Sequence, residues 1–304
     1  MRHLFIVNPA AGKRGTTRHL EDLLARLSFP HEVVYTKDAG DAEALARQAA
    51  ARGEPVRIYA CGGDGTLNEV VNGAAGREQA AVTNVPKGTG NDFLKIFGPD
   101  YRRLFYDLEA LAQGPQTAFD LIDCNGKLGI DVVCAGVDAR IAADVHRYKD
   151  WPLVTGKGAY VLALVENIFL KGISRPMTVQ MGEAQWSQAP TSLLCVCNGR
   201  YYGGGFMPVG EAMPDDGVLD MLRVRQVSLL TFLRLVGKYA KGLYRQYPEL
   251  IDHYHGQQVT FSAPEPITAV VDGEVMRDVR FTVKLSEKKI NFFYPAGAGY
   301  QKQK

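Results

Sequence analysis

The sequence predicts two domains of different fold class. The N-terminal domain is α/β and built on a parallel sheet, and the domain that follows is all-β and forms an antiparallel β-sandwich. In the first third, short apolar runs alternate with longer helical patterns, the rhythm of a parallel sheet covered by helices on both faces. From about Phe119, short β-like segments follow one another, and turn residues separate most of them. We place the domains at residues 1–118 and 119–286, and residues 287–304 can complete the first.

The N-terminal elements follow from the spacing of apolar residues. Leucines between Leu20 and Leu27 recur at helical spacing, whereas the predicted strands are short apolar runs bounded by turn residues. Ligands of parallel sheets bind beyond the carboxyl ends of the strands, where the turns that begin at Asn8, Gly62 and Lys87 lie. The predicted strands are Leu4–Val7, Glu32–Thr36, Val56–Ala60 and Ala81–Val85, and the predicted helices are Thr17–Leu27, Asp41–Arg52 and Thr66–Ala75.

The C-terminal elements are mostly strands. Two helical stretches, Gly158–Leu170 and Ser228–Tyr244, interrupt them, and the final apolar run Ile290–Tyr294 can return to the first domain. The predicted strands are Leu121–Cys124, Gly129–Ala135, Met177–Met181, Ser192–Cys197, Leu219–Val224, Gln258–Phe261, Ile267–Val271 and Val279–Leu285.

Composition narrows the class of protein. The chain has 304 residues, 46% of them hydrophobic, which is enough for two cores, and its formal net charge of +2 gives no electrostatic case for nucleic-acid binding. No apolar run approaches the ~20 residues that a membrane span requires, and the N-terminus enters a turn too early for a signal peptide. The five cysteines form no C-x-x-C pair, so we expect a reducing, cytoplasmic setting. We expect His253 and His255, a loop pair without a third ligand nearby, not to bind metal.

The most informative segment is Cys61-Gly-Gly-Asp-Gly-Thr-Leu-Asn-Glu69, which follows an apolar run. Its glycines allow a phosphate to approach backbone N–H groups, and a helix that starts at this point favours negative charge. Thr66 is a candidate cap for that helix, and Asp64 can hold the Mg²⁺ that accompanies a nucleotide phosphate. The alternative is an ordinary glycine-rich turn with a solvated aspartate.

Two further turns can contribute to the same site. The first, Asn8–Lys13, has small residues that would let backbone N–H groups face a phosphate, with Thr16 or Thr17 as a cap for the next helix. In the second, Pro86–Phe93, Thr89 can donate to a phosphate, and Asn91 or Asp92 can cap the following helix. A tight surface turn and a simple capping aspartate are the respective alternatives. Neither G-x-x-x-x-G-K-[ST] nor a strand-linked G-x-G-x-x-G occurs.

Acidic turns later in the chain have the character of metal and proton sites. Asp215 and Asp216 precede Gly217 and a strand, a pattern that suits a cation with oxygen ligands, although a solvated turn is the alternative. Asp272 and Glu274 lie two residues apart, so in extended backbone both point to one side, where one could accept a hydroxyl proton. A hairpin turn is the alternative there.

Together these motifs resemble the bacterial diacylglycerol kinase catalytic-domain family, relatives of the sphingosine and ceramide kinases. The resemblance covers Ile6 to about Glu274 and implies an NAD kinase-like nucleotide-binding α/β domain packed against a β-sandwich, with ATP in the cleft. It implies catalytic roles for Glu274, Asp272 and Asp64, and we favour Glu274 as the base. It implies these further ligands: for ATP, Asn8, Pro9, Ala10, Ala11, Gly12, Thr36, Gly62, Gly63, Asp64, Gly65, Thr66, Leu67, Asn68 and Thr89; for a catalytic Mg²⁺, Asp64, Asp92 and Asp120; for a structural Mg²⁺, Met213, Asp216 and Val218.

The resemblance therefore predicts an ATP- and Mg²⁺-dependent lipid kinase that phosphorylates a lipid hydroxyl, that of diacylglycerol above all. A soluble kinase of the NAD-kinase type and a non-catalytic nucleotide- or lipid-binding protein are the alternatives. A kinase of membrane lipids without a membrane span must contact the inner membrane face transiently. Helix Ser228–Tyr244, with basic residues Arg234, Lys238, Lys241 and Arg245, is the candidate contact, and a core helix with a solvated face is the alternative. Family members often pair, so a homodimer is also considered.

Overall fold

Two sheets organise the chain. The computed structural model describes residues 1–13, 15–149, 151 and 156–299. The first sheet has six strands in the order β2–β1–β3–β4–β15–β5, and its neighbours are parallel except for β5, which runs antiparallel to β15. These strands are β1 (Arg2–Val7), β2 (Glu32–Tyr35), β3 (Val56–Gly62), β4 (Ala80–Pro86), β5 (Gln116–Phe119) and β15 (Ile290–Phe293).

Helices cover this sheet because β3 and β4 are buried along their whole length and must be shielded from water on both faces. The alanine-rich helix α2 packs closely on α3, since a side chain at Gly73 would collide with the carbonyl oxygen of Glu43. The helices are α1 (Thr16–Leu24), α2 (Asp41–Ala50), α3 (Asp64–Ala74), a 3₁₀ helix (Phe93–Phe97), α4 (Tyr101–Phe105) and α5 (Leu108–Gln113).

The second sheet has nine strands and folds back on itself. Two long strands, β10 and β13, make this possible. The C-terminal half of each pairs with β8, and the N-terminal half of each pairs with β9. A core that includes Phe261 and Phe281 fills the space between the layers. The strands are β6 (Ile122–Cys124), β7 (Lys127–Gly129), β8 (Val132–Gly136), β9 (Arg175–Met181), β10 (Ala184–Cys197), β11 (Leu219–Arg225), β12 (Ile251–Gly256), β13 (Gln258–Val271) and β14 (Glu274–Leu285).

A helical layer lies against this second sheet. Phe232 of the third helix packs against the core of the first two, and Leu235 and Tyr239 are buried against the sheet. None of the helices within the described residues is both long and apolar enough to span a bilayer. The helices are α6 (Val137–Lys149), α7 (Gly156–Val165), a π-helical turn (Glu166–Leu170), α8 (Leu229–Tyr239) and a 3₁₀ turn (Tyr244–Gln246).

The predicted fold class, a parallel α/β domain followed by an antiparallel β domain, is confirmed. Several details are wrong. The predicted strand 129–135 is two strands, β7 and β8, whereas segments 258–261 and 267–271 form the single strand β13 with a register shift. Strands β5 and β12 and helices α4, α5 and α6 were not predicted. The domain limits stay a prediction, and residues 300–304 of the segment assigned to complete the first domain lie outside the described residues.

The predicted helix caps are also wrong. Glycines occupy the cap positions of α1 and α3, so Thr16 and Thr66 lie within the first turn of their helices. Asp92 does precede the 3₁₀ helix, but its side chain caps no backbone N–H there. The side chains of Thr66 and Asp92 instead contact other turns, as described next, whereas Thr16 Oγ1 donates to the carbonyl oxygen of Lys13 at 2.8 Å within its own turn.

Candidate functional site

The turns after β1, β3 and β4 meet at one edge of the parallel sheet. Asn8 Nδ2 donates to Thr66 Oγ1 at 3.1 Å, and Lys87 Nζ donates to the carbonyl oxygen of Asn8 at 2.8 Å. Gly12 has a φ of 88°, and a Cβ there would lie 2.5 Å from the carbonyl oxygen of Lys87. The three glycine-rich turns therefore form one continuous surface of backbone groups beside the start of α3.

Asp64 is the centre of this surface. Its carboxylate accepts hydrogen bonds from the backbone N–H groups of Asn91 at 2.7 Å and Asp92 at 2.6 Å, so it holds the β4 turn against α3. Gly90 is required for this contact, because a Cβ there would lie 2.6 Å from Asp64 Oδ2. Burial, and after it the charge of Asp92, raises the pKa of Asp64.

Asp92 extends the site to the second domain. Its Oδ1 pairs with Lys95, and its Oδ2 accepts the backbone N–H of Gly204 at 2.7 Å. Asp64 and Asp92 thus lie side by side in the cleft, and their role as metal ligands stays a prediction.

Asp272 is partly buried, and hydrogen bonds occupy both of its carboxylate oxygens. Its carboxylate accepts the backbone N–H groups of Ile130 at 2.6 Å and Val132 at 2.8 Å, and Asn68 Nδ2 at 3.1 Å. Burial raises the pKa of Asp272, and these hydrogen bonds oppose that rise. Because its lone pairs already serve the joint between α3 and the β7–β8 turn, its structural role is to position the two domains.

Glu274 lies apart from Asp272. Glu274 Oε2 is 2.8 Å from Lys127 Nζ, and 41% of its side chain is exposed. Asp272 and Gly273 line the cleft cavity, whereas Glu274 is outside the lining. The two carboxylates predicted to share one side therefore have separate environments, because a turn with Asp272 at a φ of 46° comes between β13 and β14.

The sequence analysis missed Asp131. This buried carboxyl lines the same cavity, and its Oδ1 has no hydrogen-bond partner among the described residues. Burial raises its pKa well above the ordinary value, and the charges of Asp272, Asp92 and Asp64 raise it further. The available signal was a charged residue inside the apolar run 129–135, because burial of a carboxylate costs free energy unless the group is paired or binds a metal.

The cavity itself has a volume of about 770 Å³ and changes character along its length. Its acidic end contains Asp64, Asp92, Asp131 and Asp272. From there it continues between α6, α7, α8 and the second sheet, where the lining is mainly apolar. That lining includes Ile141, Val145, Leu164, Ile168, Leu193, Val224, Phe232, Leu235, Val236 and Val270.

One more acid lies inside the apolar part. Asp138 is partly buried, accepts a hydrogen bond from the backbone N–H of Ala139 at 2.8 Å and accepts another from the hydroxyl of Tyr202 at 3.1 Å. Burial raises its pKa to about 6. The sequence analysis missed this residue as well, since Asp138 belongs to no recognisable motif.

Exposed apolar side chains surround this helical layer. Leu230 and Leu233 of α8 are more than half exposed, as are Val161 of α7 and Phe169 in the turn that follows it, and Leu170 is 80% exposed. Such a cluster is uncommon on a water-facing surface and typical of an interaction site. The predicted amphipathic helix 228–244 thus lines the cavity on one side and faces solvent on the other. Phe232 and Val236 line the cavity, whereas Arg234, Lys238 and Lys241 are exposed.

Asp120 lies with the later acidic turn. Its Oδ2 accepts the backbone N–H of Gly217 at 2.9 Å, and Lys289 Nζ lies 2.7 Å from its Oδ1. Among the described residues, no direct hydrogen bond or ion pair joins it to Asp64 or Asp92, and its place in one metal set with them stays a prediction. The turn also contains the other predicted ligands: Met213, which is buried, and Asp216 and Val218, which hydrogen bond to each other at 3.1 Å.

The remaining residues predicted to bind the nucleotide lie in several environments. Thr89 and Leu67 line the cavity, whereas Asn68 is buried, and its side chain contacts the second domain. Thr36 is buried at the end of β2, where its N–H donates to Val7. Of the other residues predicted as ATP contacts, Pro9, Ala10 and Ala11 lie in the turn after β1, Gly62 ends β3, Gly63 caps α3 and Gly65 lies in the first turn of that helix.

Arg102 supports the β4 turn and was also missed. Its guanidinium donates to the carbonyl oxygens of Pro86 at 3.2 Å and of Gly88 and Thr89 at 3.1 Å. Because these carbonyls point toward Arg102, the turn keeps a fixed shape. The sequence gives no local signal for this role, because the carbonyl groups that Arg102 contacts lie more than twelve residues earlier in the chain.

Both reasons for expecting no metal at His253 and His255 are wrong. The two histidines lie on strand β12, not in a loop, and both contact Asp220, a third potential ligand on the neighbouring strand.

Comparison with known proteins agrees with this architecture. Residues 2–124 match the model of the diacylglycerol kinase catalytic domain, and residues 131–293 match that of the YegS C-terminal NAD kinase beta sandwich-like domain. The chain is 27% identical over 278 residues to a diacylglycerol kinase of Bacillus subtilis, covering 90% of this chain and 89% of that protein. It is 29% identical over 274 residues to a Pseudomonas aeruginosa protein named "Probable lipid kinase YegS-like", covering 86% and 84%.

Solved structures show the same fold. A diacylglycerol kinase from Bacillus anthracis has a TM-score of 0.72 at 21% identity, with 98% of each chain covered. An NAD kinase from Archaeoglobus fulgidus, solved in complex with ATP, has a TM-score of 0.52 at 13% identity, with 97% of this chain and 95% of that chain covered. At these identities the likeness is one of fold.

Proposed function

Because the chain belongs to the lipid kinase family that joins a diacylglycerol kinase catalytic domain to a YegS-type C-terminal domain, we propose that it transfers the γ-phosphoryl group of ATP to a lipid hydroxyl. Diacylglycerol is the proposed substrate and phosphatidic acid the product. The observation that supports this most is the cavity, because one continuous space joins a cluster of carboxylates to an apolar lining.

The three N-terminal turns are the proposed ATP site. Phosphate groups bind backbone N–H groups in glycine-rich turns and at helix N-termini, and α3 begins at Asp64 within this surface. A side chain at position 12 or 88 would collide with the backbone of the neighbouring turn, so the turns pack this closely only with glycine there. Lys87 is not free to bind phosphate in this arrangement, since its Nζ donates to Asn8 and Thr17.

The donor set in the cleft fits a hard cation. Asp64, Asp92 and Asp131 offer carboxylate oxygens, and Asp131 Oδ1 lacks any other partner among the described residues. Mg²⁺ prefers such oxygen ligands, and when bound it neutralises charge on the phosphates. We propose Asp64, Asp92 and Asp131 as the residues that hold it. Asp216, with the carbonyl groups of Met213 and Val218, remains the proposed structural Mg²⁺ site beside Asp120.

The lining of the cavity supports one orientation for the lipid. Acyl chain would lie against the apolar lining of α6, α7 and α8, which excludes water, and the hydroxyl group would reach the acidic end. Glu274 stays our proposed base, and Asp131, which lines the cavity, is the alternative base if Asp64 and Asp92 alone hold the metal. Asp272, whose oxygens are occupied by hydrogen bonds, is proposed as a positioning residue.

The activity is tested with radiolabelled ATP and detergent-dispersed lipids: diacylglycerol, monoacylglycerol, ceramide and sphingosine, with NAD as the soluble acceptor. We expect metal-dependent labelling of diacylglycerol and none of NAD. Asp64→Ala is the variant control, and it is expected to lose turnover. Labelling of NAD alone, or ATP consumption unchanged in Asp64→Ala, would refute the proposal.

We also propose peripheral contact with the inner membrane face through the exposed apolar residues of α7 and α8 and the basic residues of α8. Each basic residue near an anionic surface contributes about 1 kcal/mol. The test is co-sedimentation with anionic vesicles of a triple variant, Arg234→Glu, Lys238→Glu and Lys241→Glu. The matched control reverses three exposed charges of the first domain, Arg18, Arg26 and Lys37.

Vesicle binding should fall in the α8 variant and persist in the control. Equal binding of both would remove α8 from the membrane contact without touching the kinase proposal. Pairing of two copies stays a prediction, which sedimentation velocity would test.

A further inference from the structure

Two strands at the edge of the second sheet bring three potential metal ligands together. Asp220 of β11 pairs directly with His255 of β12, and His253 lies two residues earlier on the same face of that strand. His253 Nε2 is 2.9 Å and His255 Nδ1 is 3.1 Å from Asp220 Oδ1. The three ligand atoms all lie within 4.8 Å of one another.

These separations are close to those of a metal complex. Zinc binds histidine nitrogen and carboxylate oxygen at about 2.0–2.1 Å in a tetrahedral arrangement, so two of its ligand atoms lie about 3.3 Å apart. The two nitrogen–oxygen distances here need to lengthen by only a few tenths of an ångström. His255 is largely exposed, so its side chain has room to rotate toward that geometry.

The chemistry of the set is also suitable. Asp220 is buried, and although burial alone would raise its pKa, hydrogen bonds from His253 and His255 outweigh that effect and lower it. The carboxylate is therefore charged near neutral pH. The ring of His253 packs against Tyr244 at 4.9 Å between ring centroids, which limits the orientations of that imidazole.

We propose that Asp220, His253 and His255 bind a divalent first-row transition metal, with Zn²⁺ as the ion of choice. Two imidazoles and one carboxylate leave a fourth tetrahedral position for water. The site differs from the proposed Mg²⁺ sites, since nitrogen ligands do not suit Mg²⁺. Bound metal would fasten β12, the edge strand of the second sheet, to β11.

The proposal is tested by titrating Zn²⁺ into metal-free, tag-free protein by calorimetry, and by following the visible absorption of Co²⁺ bound in its place. We expect one ion per chain and at least a tenfold loss of affinity in His255→Ala and in His253→Ala. His19→Ala, which removes an exposed histidine of α1, should bind as the unaltered chain does. Asp216→Asn should also retain Zn²⁺, which separates this site from the proposed structural Mg²⁺ site.

A second measurement covers variants with altered folding. Zn²⁺ should raise the melting temperature of the unaltered chain by several degrees, since a ligand that binds the folded state stabilises it, and should leave that of His255→Ala unchanged. No binding up to ~100 µM Zn²⁺, or equal binding by His255→Ala, would reduce the cluster to two histidine–aspartate hydrogen bonds. Neither result depends on kinase activity.

Discussion

Asn68 Nδ2 donates a hydrogen bond of 3.1 Å to Asp272 Oδ2, and this contact joins α3 of the first domain to the β13–β14 turn of the second. The same carboxylate holds the backbone N–H groups of Ile130 and Val132. A carboxylate with this many donors has little capacity left to take a proton from a substrate. Its arrangement explains how the cleft keeps its shape between the two sheets.

Asp272→Asn and Glu274→Gln should therefore fail in different ways. The amide of asparagine presents N–H where Asp272 accepts from backbone N–H, so we expect a loss of about 1–3 kcal/mol in the free energy of unfolding. Glu274 is partly exposed, so Glu274→Gln should leave stability unchanged and, if Glu274 is the base, lower kcat by about 10²–10⁴-fold. Urea unfolding and steady-state kinetics on both variants measure this.

Asp131→Asn completes the comparison. If Asp131 rather than Glu274 takes the proton, Asp131→Asn should lower kcat and lose the acidic limb of the pH–rate profile without a change in its Mg²⁺ requirement. If Asp131 is instead a metal ligand, the variant should need a higher Mg²⁺ concentration for half-maximal activity. Equal stability of Asp272→Asn and the unaltered chain would contradict the positioning role of Asp272.

A glycine pair tests the packing of the nucleotide turns. A Cβ at Gly88 would lie 2.6 Å from the Cα of Gly63, whereas a Cβ at Gly63 would lie 3.5 Å from the Cα of Gly88, an ordinary contact. Gly88→Ala should thus force the two turns apart and cost about 1–3 kcal/mol of stability, while Gly63→Ala should be close to neutral. Thermal unfolding distinguishes them, and equal melting temperatures would show that the turns have room to move.

Local patterns were sufficient for the parts of the fold that depend on periodicity. The alternation of strands and helices up to Pro86 predicts the parallel sheet. Because the carboxyl ends of parallel strands meet at one edge of a sheet, the sequence also predicts that the turns at Asn8, Asp64 and Thr89 lie together, and they do. The β domain was predicted less well, because a bulged strand such as β13 contains turn-like residues that resemble a strand break.

Side chains that act at long range were beyond such patterns. Arg102 supports a turn, Asp131 and Asp138 lie in a cavity between elements, and Lys289 meets Asp120 only because β15 returns to the first sheet. Each of these roles depends on tertiary contacts and none on neighbours in sequence. The same dependence on tertiary contacts brought Asp220 to the two histidines.

Filling the apolar part of the cavity should remove lipid turnover selectively. Ala142 of α6 lines the cavity, whereas the next residue, Ala143, does not. We expect Ala142→Trp to lower kcat/KM for the lipid by at least tenfold, because the indole occupies the space proposed for acyl chain. The KM for ATP should stay unchanged, and Ala143→Trp should behave as the unaltered chain. A lipid activity that survives Ala142→Trp would move the acyl chains out of this cavity.

Asp138 should make the stability of the protein depend on pH. Burial raises the pKa of its carboxyl in the folded state to about 6, against an ordinary value of 3.8. The folded state therefore holds a proton that the unfolded state releases between these values. The resulting stabilisation is complete below about pH 4 and is lost as the pH rises through about 6.

Asp138→Asn should remove this dependence. The variant is expected to match the unaltered chain near pH 4 and to exceed its free energy of unfolding at pH 7 by up to about 3 kcal/mol, which is the cost of the raised pKa. Urea unfolding across that range measures the difference, with Asp22→Asn, a change at an exposed position of α1, as the control. A difference that stays constant from pH 4 to pH 7 would show that the Asp138 carboxyl ionises alike in the folded and unfolded states.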